Sequence, residues 1–170
     1  LKINILSEEV SLGLNHNDLI GDLFVMISLF LEGLSPDYNG RYLKDIWNFN
    51  HSEIEKIHNF IQWIFPLDTA SKHVLDAIIL EEDEIEEIRS SKLAKKNLII
   101  SRDFFLNFLS QSDNWLAEKN HNHFRIVRII KSLRLLHSNL EAENFKNIIL
   151  NLSKERSTKH LKIIKLWEKC

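Results

Sequence analysis

Two stretches of the sequence carry polar side chains whose types and spacing could do chemistry. The first spans residues 50–67 and the second spans residues 120–133. Their candidate ligand-binding residues are His58, Gln62, His121, Asn122, Arg125, Arg128 and Ser132. Imidazole groups exchange protons and hydrogen bonds near neutral pH, and paired guanidinium groups bind carboxylate or phosphate. These residues therefore indicate a polar pocket for a peptide or a small anionic ligand.

The second stretch places its polar residues on one side of a helix. At 100° per residue, His121, the two arginines and Ser132 share an arc about 60° wide, bracketed by apolar residues. A guanidinium group in such surroundings needs a partner, because an unpaired buried charge costs several kcal/mol. We therefore expect Arg125 or Arg128 to hold an acid from residues 1–118, and the other to hold an acid or to face a polar cavity near His58 or His121. The acids available for this pairing include Asp37, Asp45 and Asp103.

Several interpretations of these residues stay open. The polar residues could simply satisfy backbone groups and acids inside the fold, or they could line a ligand pocket. A weaker alternative is an enzyme that uses His58, His121 and Arg125. The chain has no nucleophile elbow, phosphate-binding glycine loop or HExxH motif, so no catalytic residue, metal ligand or cofactor is assigned. A module that binds a protein partner or nucleic acid is a further alternative, although a pI near 6.5 disfavours nucleic acid.

The elements that position these residues are predicted to be helices. The chain has 170 residues, of which 44% are hydrophobic, with only 4 Gly and 2 Pro. This composition predicts an all-α fold, a single compact bundle of roughly seven helices over residues 1–170, with residues 1–17 as a flexible arm. The predicted helices cover residues 18–32, 41–49, 52–65, 91–109, 122–137, 141–153 and 158–169, with a short helix also compatible with residues 74–80.

The first stretch is predicted to form one helix. Ser52 and Glu55 match a capping box that would open it, and Pro66 would end it. Trp63, Phe65 and Pro66 are assigned to the structural core, where they pin the chain reversal. The acidic run at 81–87 is expected to be an exposed first helical turn, because acids there complement the helix dipole.

Other features bear on location. The most apolar run, residues 20–31, is about 12 residues long, whereas a membrane span needs about 20. One cysteine, Cys170, excludes an internal disulfide. With no secretory leader in the sequence, these features predict a cytoplasmic protein without a transmembrane segment.

The two stretches together resemble the conserved N-terminal domain of the opioid growth factor receptor family. The first motif is matched by His58, Ile61, Gln62, Trp63, Ile64, Phe65, Pro66 and Leu67. The second is matched by His121, Asn122, Arg125, Ile126, Arg128, Ile129, Ser132 and Leu133. The resemblance implies a helical, non-enzymatic binding or regulatory domain. It also implies an intracellular, nuclear-associated receptor for an enkephalin pentapeptide.

Overall fold

The computed structural model describes residues 27–70, 78–156 and 164–170, and these ranges are helical with short connections. The predicted all-α class is confirmed. The α-helices in these ranges are α1 (Ile27–Glu32), α2 (Leu43–Trp47), α3 (His51–Lys56), α4 (Phe60–Ile64), α5 (Glu82–Ser90), α6 (Lys92–Ser110), α7 (Asn122–Leu136), α8 (Asn139–Arg156) and α9 (Ile164–Glu168). The predicted arm at 1–17, the start of the first helix, residues 71–77 and residues 157–163 lie outside the described residues.

Helix α7 is the centre of the core. It contacts α5, α6, α8 and α9, and its apolar face is fully buried. The residues of that face are Ile126, Ile129, Ile130, Leu133 and Leu136. Because these residues recur at spacings of three and four, the apolar stripe predicted from the sequence is the one that the bundle packs around.

The first polar stretch forms two helices, so the prediction of one continuous helix was wrong. Helix α3 ends at Lys56, and α4 begins at Phe60 after a break at residues 57–59. The predicted capping box was also misplaced. Asn50 caps α3, where its side chain accepts a hydrogen bond from the Glu53 amide at 3.1 Å and Glu53 accepts one from the Asn50 amide at 2.8 Å. Glu55 is thereby left free for other contacts.

Helix α4 is buried on every side. All five of its residues have low exposure, including the polar Gln62. Trp63 is 4% exposed, and its ring meets those of Phe30 and Tyr38 edge-on at 5.1 and 4.8 Å. Phe65 is fully buried directly after the helix. The aromatic residues next to Pro66 therefore belong to the core of the bundle.

The acidic run starts a helix of its own. Three acids occupy the first turn of α5, as the sequence predicts, but the helix ends at Ser90 and does not continue into α6. Ser91 begins α6, because its hydroxyl accepts a hydrogen bond from the Ala94 amide at 3.1 Å. The same hydroxyl donates to Glu32 at 2.5 Å and so ties this junction to α1.

Beyond Pro66, Leu67 forms an isolated parallel bridge with Ile79. Residues 78–80 are therefore extended, and the short helix proposed for 74–80 does not include them.

The segment before α7 is anchored by two tryptophans. Trp115 lies in a short 3-10 helix (Asn114–Leu116) and is 2% exposed. Its carbonyl contacts His123 Nε2 at 2.7 Å, and Trp167 of α9 donates to the His123 carbonyl at 3.3 Å. These bonds fix the start of α7, which carries the second polar stretch.

Candidate functional site

Arg125 joins the two polar stretches. Its Nη1 donates to the Ile54 carbonyl at 2.8 Å and to Asn122 Oδ1 at 3.0 Å. Its Nη2 donates to the Ile57 carbonyl at 2.9 Å and contacts His58 Nδ1 at 3.2 Å. The four N–H groups on these two nitrogens thus have four acceptors. The predicted contact between the two stretches is present, but His58 lies in the break between α3 and α4 and not in a helix, so the contact joins α7 to this break.

This arrangement is a C-terminal cap made by a side chain from a distant helix. The last carbonyls of a helix have no partner within the helix, and its C-terminus carries a partial negative charge. Ile57 is the residue that follows the end of α3, and its carbonyl is one of those that Arg125 binds. The guanidinium group also lies 5.3 Å from the centre of the Phe60 ring. Arg125 therefore stabilises both the end of α3 and the start of α4.

Arg128 plays the same part at the end of α4. Its Nη1 donates to the carbonyl of Phe65, the residue that follows that helix, at 3.1 Å. Burial lowers the pKa of Arg128, and burial lowers that of Arg125 to about 10. Both side chains remain charged at pH 7, so the backbone carbonyls compensate two partly desolvated cations.

The expected pairing of an arginine with an acid is not found within the residues that the structure describes. Within the described residues neither guanidinium group is hydrogen-bonded to a carboxylate, because helix-end carbonyls take that place. The acids named as available are engaged locally: Asp37 with Arg41, Asp45 with the Tyr42 amide and Asp103 with Arg102. The charge of Glu55 acts on Arg125 without a hydrogen bond between them, and it partly offsets the lowering of the Arg125 pKa.

Three side chains form a surface cluster above Arg125, which we call the rim cluster: Glu55, His58 and His121. His121 Nε2 lies 3.1 Å from Glu55 Oε2, and the two imidazole rings are 5.1 Å apart, edge to face. His58 and His121 are exposed. Asn122, which is fully buried, donates to the other oxygen of Glu55 at 3.3 Å. The cluster is therefore held from below by α7.

The contacts assign the protons of both imidazoles. A guanidinium group can only donate, so His58 Nδ1 must accept and its proton is on Nε2. A carboxylate only accepts, so His121 carries a proton on Nε2. Burial lowers the pKa of His121, and the charge of Arg125 lowers it further, against an opposing effect of Glu55. The rim cluster thus presents the Glu55 carboxylate beside two imidazoles whose hydrogen-bonding nitrogens are fixed by their neighbours.

The remaining predicted site residues lie inside the fold. Gln62 is 5% exposed in α4, and Ser132 is fully buried in α7. Among the described residues the Ser132 hydroxyl has no hydrogen-bond partner. The structure therefore brings together His58, His121, Asn122 and Arg125, whereas Arg128 acts at the end of α4.

Two sets of residues at these sites were not predicted from the sequence. Glu55 was assigned to a capping box with Ser52. The alternative capping box of Asn50 and Glu53 is the sequence signal that could have shown Glu55 to be available for other contacts. The second set lines an open groove of about 380 Å³ that contains Arg89, Lys131 and Arg134. The sequence offers no signal that would bring Arg89 to the other two.

Within the described residues no group of three His, Cys, Asp or Glu side chains is arranged to hold a metal ion. None of the helices in the same ranges combines the length and apolar character that crossing a membrane requires.

The comparisons with known proteins agree on one family. Residues 32–166 match the family model described as the opioid growth factor receptor (OGFr) conserved region. The chain is 32% identical over 159 residues to opioid growth factor receptor-like protein 1 of Xenopus tropicalis, which covers 83% of this chain and 30% of that protein. It is 30% identical to the Mus musculus protein of the same name over 66% of this chain and 27% of that one. It is 29% identical to the Homo sapiens opioid growth factor receptor over 56% of this chain and 17% of the receptor.

The chain spans less than a third of the length of these relatives. No solved structure matches it. The family model covers both polar stretches and the helices between them, including the arginine caps and the rim cluster. The chain belongs to the opioid growth factor receptor family, of which it contains the conserved region.

Proposed function

We propose that this chain is a non-enzymatic helical binding domain that takes a peptide at the rim cluster. The observation that carries the proposal is a partly exposed carboxylate beside two imidazoles, held by a buried arginine whose terminal nitrogens already have acceptors. Binding sites need polar groups that are fixed before the ligand arrives, since ordering them later costs affinity. Arg125 holds the polar groups of the rim cluster in fixed positions.

The charge of the rim cluster favours a peptide over a small anion. Arg125 donates its terminal N–H groups to carbonyls, Asn122 and His58, so an anion would have to displace these bonds. Glu55 would also repel it. A peptide amino terminus is an ammonium group, which a carboxylate attracts. The imidazoles can add hydrogen bonds to the peptide backbone.

The names of the relatives point in the same direction. They are called opioid growth factor receptors or receptor-like proteins, which describes them as receptors for a growth factor. Transferred to this chain, that description suggests a regulatory domain that acts on binding its ligand. We place this activity inside the cell, as the family resemblance implies.

A titration with an enkephalin pentapeptide tests the proposal. We expect saturable binding by calorimetry, with amide shifts in an NMR spectrum concentrated at residues 55–58 and 121–125. Acetylating the amino terminus of the peptide, or replacing Glu55 by Gln, should weaken binding about tenfold because each removes one partner of the ion pair.

Glu118→Gln is the matched control. Glu118 is an exposed acid outside the rim cluster, so this variant should bind as the unmodified protein does. Binding that is equal in Glu55→Gln and Glu118→Gln would place the peptide elsewhere. A lack of saturable binding at about 1 mM peptide, near the weak limit of specific recognition, would refute this ligand class for the rim cluster.

A further inference from the structure

A second surface of the chain collects positive charge without an equal number of acids. The groove between residues 67–69, the end of α5 and the last turns of α7 has a volume of about 380 Å³. Arg89, Lys131 and Arg134 contribute three cations to its lining, and Asp68 contributes one acid. Among the residues that the structure describes, the lining therefore carries a net charge of about +2 at neutral pH.

Two of these cations are held in place by the fold. Arg89 Nε donates to the Leu135 carbonyl at 2.7 Å, which fixes this side chain against α7. Arg134 Nη2 donates to Glu143 at 2.6 Å, which fixes this side chain as well. Glu143 also binds Lys146 at 2.7 Å, so its charge is shared between two cations. The arginines are thus positioned in advance of any ligand.

Lys131 distinguishes this groove from ordinary helix capping. Arg89 and Arg134 lie in the last turns of α5 and α7, where the helix dipole alone favours a cation. Lys131 lies before the last turn of α7, is exposed, and has no ion pair among the described residues. Lys131 therefore adds a positive charge to the groove at a place where the helix dipole does not require one.

We propose that this groove binds a small organic phosphate. A phosphate monoester carries about −1.5 to −2 charges at pH 7 and three acceptor oxygens, which matches the net charge of the lining and its three donors. Leu67 and Leu135 provide apolar walls for the organic part, and Thr69 adds a hydroxyl group. The volume lies at the lower end of the range of about 300–1,000 Å³ found for small-molecule sites.

Phenyl phosphate is a suitable probe, because it joins a phosphate group to a small apolar ring. In an NMR titration at constant ionic strength we expect saturable shifts at residues 67–69, 89 and 131–135. Lys131→Gln should weaken binding by about tenfold, and Lys131→Glu by more, because they remove and reverse one of the three charges. Benzoate, which has the same ring and a single charge, should bind several times more weakly.

Lys154→Glu is the control for Lys131→Glu. Lys154 is an exposed lysine of α8, so the variant has the same change in net charge at a place outside the groove. Its affinity should stay within about twofold of the unmodified protein. The proposal is overturned if phenyl phosphate gives no saturable shift at about 10 mM. It is also overturned if Lys131→Glu and Lys154→Glu lose affinity equally, or if benzoate binds as tightly as phenyl phosphate. The site is separate from the rim cluster, so Glu55→Gln should leave phenyl phosphate binding unchanged.

Discussion

Replacing Arg125 by Met tests whether this side chain stabilises the junction between α3 and α4. Met keeps much of the length and apolar volume of the arginine side chain but makes none of its hydrogen bonds. The variant leaves the Ile54 carbonyl and Asn122 Oδ1 without donors in a buried region. The Ile57 carbonyl and His58 Nδ1 are partly exposed, so water can replace the guanidinium group there.

The expected loss follows from this division. Each buried polar atom left without a partner costs about 1–3 kcal/mol, and each partly exposed one costs less than about 1 kcal/mol. Removing the charge recovers part of its desolvation cost. We therefore expect the free energy of unfolding to fall by about 3–5 kcal/mol. For a chain of this length that corresponds to a decrease of about 10 °C in melting temperature.

Urea unfolding followed by circular dichroism measures this loss. Arg134→Met is the control on the same helix, because Arg134 makes a partly exposed ion pair with Glu143 that should contribute less than about 1 kcal/mol. Arg125→Lys keeps the charge but not the four-donor geometry, so its stability should lie between those of Met and Arg. If Arg125→Met and Arg134→Met unfold at the same urea concentration, the capping role assigned to Arg125 is incorrect.

Three further substitutions follow from the described contacts. Asp37→Asn should cost about 3 kcal/mol, because Asp37 is buried and binds the Arg41 side chain at 2.5 Å; a loss below about 1 kcal/mol in urea unfolding would contradict this. Trp63→Ala should cost about 3–5 kcal/mol, and an unchanged melting temperature would show that its ring is not part of the core. Burial lowers the pKa of His123 from 6.5, so below that pH the unfolded chain binds more protons than the folded one and stability falls as the pH decreases. His123→Gln, which can still donate to the Trp115 carbonyl, should flatten stability between pH 6.5 and 5, and an equal slope in both proteins would count against the argument.

The sequence predicted α7 well, because the information that defines it is local. Its apolar residues recur at helical spacing, and its polar residues fall on one arc beside them. That arc faces α3 and α4, as the proximity of Arg125 to His58 shows. The side of α7 that carries the candidate residues could therefore be predicted from spacing, whereas its contact with the first stretch was a hypothesis that spacing alone did not decide.

The break between α3 and α4 could not be predicted in the same way. Residues 57–59 contain neither Pro nor Gly, and the isoleucines continue at helical spacing across the break. The break is stabilised by Arg125, which donates hydrogen bonds to the carbonyls of residues 71 and 68 positions earlier in the sequence. A local pattern does not contain such a contact. The arginines were expected to bind acids for a related reason. Every residue has a backbone carbonyl, so the sequence does not indicate which carbonyl an arginine will bind.

The spacing of the cations along α7 explains how one helix serves both the core and the groove. Arg125, Arg128, Lys131 and Arg134 recur every three residues, and each step turns the side chain by about −60° around the helix. Between Arg125 and Arg134 the direction therefore changes by about half a turn. The first two cations face the ends of α3 and α4, where helix carbonyls compensate them. The last two face the groove with Arg89, where the described residues offer fewer acids than cations. Because the two pairs point in different directions, substitutions at Lys131 should change anion binding without loosening the junction under the rim cluster.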